Sequence, residues 1–163
     1  GTVNMGKPIL NGRHIPTRYG MSVVKDQILN IDNNDYKITC ISMGNPHCVV
    51  FCDDVDRLKL DKIGPLFERH EMFPERINTE FVEIVDENHL KIRVWERGSG
   101  ETLACGTGAC AVAVASVING ICRRNEKIKI QARGGNLSVE WQENDNVYLT
   151  GEAVEVFTGE IKM

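Results

Sequence analysis

A chain of 163 residues, 42% hydrophobic and 26% charged, is long enough to bury a real core and suits one domain. Its 19 basic and 23 acidic residues leave a net charge of −4 with no block of one sign, which argues against nucleic acid or an anionic membrane surface as partner. No basic, apolar, small-residue leader opens the sequence. The six cysteines (Cys40, Cys48, Cys52, Cys105, Cys110 and Cys122) mostly lie inside apolar patterns, without CxxC pairs, so a reduced, cytoplasmic chain with no metal site is expected.

Val3 to Pro8 reads as a strand end and a turn, an abrupt opening that fits a fragment or an excised domain. Gln27 to Ile31 and Tyr36 to Met43, joined by the polar run Asp32 to Asp35, predict a hairpin. The breaker cluster Gly44-Asn45-Pro46-His47 precedes a buried strand, Cys48 to Cys52, whose two cysteines share a face and read as core. Asp61 is the expected cap of a short helix reaching about His70, with Ile63, Leu66 and Phe67 on one face and Pro65 near its first turn. A second hairpin is predicted from Asn78 to Val85 and His89 to Arg97. On its second strand Leu90, Ile92, Val94 and Glu96 share one face, so Glu96 ends an apolar row, either at a wet margin or aimed into a site.

Ala109 to Ile118 has Ser116 as its one polar residue, and Asn119-Gly120 is a stop signal. A helix apolar all round must be buried on all sides, and this one is too short for a membrane span of ~20 residues. Strands at Lys127 to Arg133, Asn136 to Trp141 and Val147 to Val156 follow. The expected fold is therefore α+β: a curved, mostly antiparallel sheet or partial barrel wrapped around a central buried helix, in a single domain spanning 1–163.

Cys105 precedes that helix. Its free N–H groups and positive dipole end favour an anion, seat a carboxylate or phosphate, and lower a thiol's pKa. Packing alone offers another reading, a small buried hydrophobe beside a turn. Gly106 and Gly108 favour the first, since they let a ligand approach the backbone. Cys110, five residues on, lies ~7.5 Å further along the axis and cannot oppose Cys105 across one atom.

Three stretches in order strongly resemble diaminopimelate epimerase: Gly44-Asn45-Pro46-His47, Arg76 to Val82, and Trp95-Glu96-Arg97-Gly98-Ser99-Gly100-Glu101-Thr102 leading to Cys105-Gly106-Thr107-Gly108. The resemblance covers essentially the whole chain but only the C-terminal half of that family's two pseudo-symmetric domains. The first half's Cys-Gly-Asn-Gly motif is absent. The resemblance implies cofactor-independent interconversion of LL- and meso-diaminopimelate, for lysine and peptidoglycan synthesis, by two acid/base thiols flanking one carbon. This chain would supply one thiol and be inactive without its N-terminal partner.

By resemblance, Cys105 is that thiol, and the Gly106 and Thr107 amides hold the α-carboxylate. Glu96 meets the ammonium group, Arg97 a carboxylate, Asn45 and Asn78 the distal end of the amino-acid substrate, and His47 supports thiol ionisation. Taken singly, Asn45 and Asn78 also read as turn and strand-start residues, His47 as a hydrogen-bonded structural residue, and Glu96-Arg97 as a solvated strand end. The family's last strand crosses into the other domain, so Glu155 to Lys162 are expected to expose an edge open to a second copy, giving a homodimer. A racemase with another substrate such as histidine, a small-anion-binding module, and a thiol enzyme in which His47 activates Cys105 for acyl transfer are the competing readings.

Overall fold

The computed structural model describes residues 1–163. Ten strands form one open sheet: β1 (Thr2–Asn4), β2 (Gln27–Ile31), β3 (Asn34–Ser42), β4 (Pro46–Phe51), β5 (Asn78–Asp86), β6 (His89–Glu96), β7 (Gly100–Thr102), β8 (Ile128–Ala132), β9 (Gly135–Trp141) and β10 (Val147–Thr150). Their order is β1-β10-β9-β8-β6-β5-β4-β3-β2, with β7 paired to β6 off this path. Two helices complete the fold, α1 (Leu60–Glu68) and α2 (Gly106–Ile118). Neither is long and apolar enough to cross a membrane.

The first predicted hairpin forms around Asp32 and Asn33, both at positive φ (49° and 63°), the backbone that a two-residue hairpin turn demands. Two pairings are parallel, β4 with β5 and β6 with β8. Parallel neighbours need a crossover, and here α1 bridges the first pair and α2 the second. Because β6 runs antiparallel to β5, crossovers of the same right hand put their helices on opposite faces.

The sheet accordingly has two cores. On one face α2 packs against Ile41, Val49, Val82, Leu90, Ile92 and Val94, with Gly108 through Ser116 all buried. On the other, α1 packs against Ile38, Cys40, Cys48, Val50 and Phe81. The middle strands are thus buried on both sides, which is why Cys48-Val49-Val50 carries no polar alternation. Cys48 lies wholly in the second core, with Cys52 packed against it.

Three expectations need correction. Asp61 does not cap α1: Lys59 occupies that position with no side-chain bond, and Asp61 falls in the first turn. Leu66 is exposed, because the buried stripe runs Leu60, Gly64, Phe67, Glu68. Gly64 belongs to that stripe because the Trp95 ring sits against it; a Cβ there would lie 2.2 Å from Trp95 Cδ2. Hydrophobic patterning cannot see a glycine as a contact residue. Finally, β10 stops at Thr150, the last residue at which β1 and β9 both pair with it, and 152–163 are exposed and irregular rather than a strand edge.

Candidate active site at the start of the central helix

Cys105 is the N-cap of α2, in extended backbone geometry (φ −138°, ψ 115°). Its sulfur accepts the Gly108 N–H at 3.3 Å, and its carbonyl accepts from Ala109. That leaves the Gly106 and Thr107 N–H groups without a partner in the protein, two donors at the positive end of the helix. The thiol is half-buried. Burial pushes its pKa above the ordinary 9.0; the Thr107 hydroxyl and Gly108 N–H pull it down, while the Glu80 and Glu96 carboxylates push it up. The expected lowering by the helix terminus is therefore overturned: lost hydration and two nearby negative charges outweigh two hydrogen bonds.

β4 begins beside this helix end, and its His47 is fully buried. His47 Nδ1 lies 2.7 Å from Glu80 Oε1. Its Nε2 lies 3.0 Å from Asn45 Oδ1 and 3.1 Å from Thr107 Oγ1. The same Thr107 hydroxyl is 3.4 Å from the Cys105 sulfur. A chain of contacts thus runs from thiol to hydroxyl to imidazole to carboxylate, with no direct hydrogen bond between sulfur and ring.

In the β4–β5 register His47 faces Asn78, and two residues along the same face of β5 stands Glu80. Asn78 is buried and largely committed to backbone: its Oδ1 accepts the Arg97 N–H at 2.7 Å and its Nδ2 donates to the Pro46 carbonyl at 2.9 Å. It ties the start of β4 to the end of β6. Glu96, half-buried, accepts from the Thr102 hydroxyl at 2.8 Å. The Arg97 side chain is exposed, and its guanidinium donates only to the Glu75 carbonyl, at 3.0 Å, leaving its charge unpaired.

Cys105, Gly106, Thr107, His47 and Asn45 are therefore one connected cluster, with Asn78, Glu96 and Arg97 on adjoining strand ends. None of the chain's cavities encloses them. The largest, about 420 Å³, lies behind the Cys105 turn between Ala104, Asn136, Leu137 and Glu152. The cluster is an open face. Glu80 is the residue that sequence reasoning missed. Its signal was a charge two residues from both Asn78 and Val82, on the same strand face as the apolar Val82, which puts a carboxylate into the core. Glu101, within the same glycine-rich run, points the other way and is held by Arg93 and Arg133.

A sequence model of the family described as diaminopimelate epimerase matches residues 39–156. A diaminopimelate epimerase from Acetivibrio thermocellus is 53% identical over 162 residues, covering 99% of this chain and 57% of its own length. One from Leptospira biflexa is 50% identical, covering 99% of this chain and 58% of its own. A chloroplastic one from Oryza sativa subsp. japonica is 53% identical over 96% of this chain and 47% of its own. The chain spans somewhat over half the length of the curated bacterial relatives it matches. Among solved structures, a hydroxyproline epimerase from Agrobacterium vitis superposes with TM-score 0.58 at 13% identity, over 91% of this chain and 47% of its own. A predicted epimerase from Pseudomonas aeruginosa does so with TM-score 0.53 at 16% identity, over 91% and 53%. At that identity the likeness is one of fold: an open sheet wrapped on a helix. From the matching family model and from half-identical relatives along nearly its whole length, this chain belongs to the diaminopimelate epimerase family.

Proposed function

We propose that this chain is the C-terminal half of a diaminopimelate epimerase and carries one of two thiols that exchange the α-proton of LL- and meso-diaminopimelate. The observation that carries the reading is the Cys105 sulfur at the start of α2, beside two unpartnered N–H groups and backed by the Thr107–His47–Glu80 chain.

Inverting an amino-acid α-carbon means removing a weakly acidic C–H on one face and returning a proton on the other. Cys105, as thiolate, takes or, as thiol, gives the proton on its side. Charge that develops on the substrate carboxylate is met by the Gly106 and Thr107 N–H donors, already oriented and needing no rearrangement. Glu96 supplies a carboxylate for the ammonium group, and the unpaired Arg97 guanidinium suits a second carboxylate through its planar fork. Asn45 stands at the rim for the distal end. Asn78 acts mainly by holding the Arg97 backbone, with one amide hydrogen to spare.

The opposing thiol belongs to the other half of the enzyme. Support comes from the open face at Cys105 and from the share of the relatives' length this chain spans. The exposed apolar side chains of Val154, Val156, Phe157 and Ile161 offer a surface for that half.

Solvent deuterium incorporation at the α-carbon of diaminopimelate tests the reading. The chain alone should show negligible exchange, and adding an N-terminal half from the Acetivibrio thermocellus relative should restore it. Cys105→Ser in the reconstituted enzyme should lower exchange by at least about a hundredfold. Exchange undiminished in that variant sinks the assignment of Cys105.

A further inference from the structure

Cys40 and Cys48 face each other across β3 and β4, and of the six free cysteines they alone are partners in a ladder. The Cys40 N–H donates to the Val24 carbonyl at 2.9 Å, so its peptide groups turn away from β4. The pair is therefore a non-hydrogen-bonded one, the antiparallel site where side chains stand closest and Cα atoms lie about 4.5 Å apart. A disulfide accepts Cα separations of about 4.4–6.8 Å, so joining these sulfurs asks for side-chain rotation and little backbone movement.

Both residues are fully buried in the core on the α1 face. Burial and the adjoining Cys40 thiol push Cys48 well above its ordinary 9.0, so Cys48 rests as a thiol. Two features set the pair apart from simple filling. Thr79, its neighbour in the β4–β5 register, is fully buried and its hydroxyl has no partner, a donor available to negative charge on Cys48. The cover over the pair is irregular backbone: residues 19–25 form neither helix nor strand, and Val24 and Tyr19 pack into the same core. Burial, then Cys40 and Cys48, push the Tyr19 hydroxyl up to about 12, which puts that ring close to both thiols. Such a segment opens at lower free energy than the sheet beneath it.

We propose that Cys40 and Cys48 are an oxidative modification site, a dithiol that a peroxide converts to a cross-strand disulfide when that cover opens. In the balanced reaction one thiolate attacks an oxygen of hydrogen peroxide and the O–O bond breaks. A sulfenic acid forms, and the leaving hydroxide takes the proton that the thiol gave up, as water. The second thiolate attacks the sulfenic sulfur, and the S–S bond forms as the S–O bond breaks. That hydroxide takes the second thiol's proton and leaves as water. Two thiols and one peroxide thus become one disulfide and two waters, with two electrons passing from sulfur to oxygen. The bond closes a ring over 41–47 and braces the turn that carries Asn45. It involves neither Cys105 nor a substrate, so it stands or falls apart from the epimerase reading.

The test uses the 163-residue chain without substitution, treated with hydrogen peroxide under native conditions. Remaining thiols are blocked with N-ethylmaleimide in denaturant, and the chain is digested with pepsin at acid pH, where thiolates are too few to reshuffle disulfides. Peptide mass spectrometry then maps the links. A Cys40–Cys48 link should be at least about tenfold more abundant than any other pairing. It should form faster in urea too dilute to unfold the sheet, because the cover opens there first. The linked chain should gain about 1 M in urea midpoint and lose it on reduction with dithiothreitol. Recovery of Cys40 and Cys48 as thiols after Cys52 and Cys105 are oxidised overturns the proposal. So does a link that forms only once the chain is unfolded, or one that lowers the urea midpoint. Cys48→Ala should abolish the link; a link from Cys40 that persists there, to Cys52, also overturns it.

Discussion

The environment of Cys105 is decided by a contest between terms of similar size. An N-cap position and two hydrogen bonds favour the anion, whereas half-burial and two carboxylates oppose it. The protonated thiol is therefore the resting form near neutrality, and the pH profile of Cys105 alkylation by iodoacetamide in the unaltered chain should reach its midpoint above the ordinary thiol value of 9.0. A midpoint below 9.0 would show the helix dipole dominating after all. Gly108 offers a test of packing at the same spot. Alanine is the better helix former by ~1 kcal/mol. Its methyl, however, must displace the buried Glu80 carboxylate at 2.6 Å, and such overpacking costs about 1–3 kcal/mol. Gly108→Ala should thus lower the urea midpoint, with stabilisation as the contrary result.

Among the elements, α1 and the β6–β7 turn depend on one another. Glu68, the last residue of α1, is buried; its Oε1 accepts from Trp95 Nε1 at 3.1 Å and from the Gly98 N–H at 3.3 Å. Gly64 lets the Trp95 ring lie flat on the helix. The turn carrying Glu96 and Arg97 is thereby clamped from the sheet face opposite the thiol. Glu68→Ala should destabilise the chain by about 1–3 kcal/mol, since it strands a buried indole N–H and a turn N–H. Chemical denaturation measures this, and a change below ~0.5 kcal/mol would show that the clamp carries no weight. This dependence was not legible in the sequence. Within Leu60-Asp61-Lys62-Ile63-Gly64-Pro65-Leu66 the apolar Leu66 falls outside the buried stripe of Leu60, Gly64, Phe67 and Glu68, two of whose four members are a glycine and a glutamate.

At the scale of the whole molecule, burial of ionisable groups makes stability depend on alkaline pH. Burial raises Cys110 to about 12, Cys52 to about 11 and Tyr19 to about 12, from ordinary values of 9.0, 9.0 and 10.0. In the unfolded chain these groups ionise from their ordinary values upward, while the folded chain keeps them neutral. Their contribution is full below about pH 9 and is lost as pH rises from there toward 12. Urea midpoints should be level from neutral pH to about 9 and fall steadily above it; a flat profile to pH 11 would mean that these thiols ionise in the folded state. The exposed tail makes a complementary prediction. Removing 154–163 should leave the melting temperature of this chain unchanged, because those side chains are exposed in it.

Local chemistry was enough to read the apolar run of α2, a polar turn in the first hairpin (expected over Asp32 to Asp35, formed by Asp32 and Asn33, with β3 starting at Asn34), the alternation that sends Leu90, Ile92, Val94 and Glu96 to one face, and a thiol followed by glycines at a helix start. Each rests on short-range periodicity or on a residue's own backbone preference, which a linear string preserves. Only the tertiary structure decided the rest. Two crossovers of one hand, on strands of opposite direction, split the core between the two faces of the sheet, and so made a contact residue of Gly64. The meeting of β4, β5 and α2 brought Glu80 to His47 across 33 positions of sequence and set the burial that raises the Cys105 thiol. Desolvation and hydrogen-bond partnership are properties of what surrounds a group on every side, and a sequence specifies those surroundings only once the chain has folded.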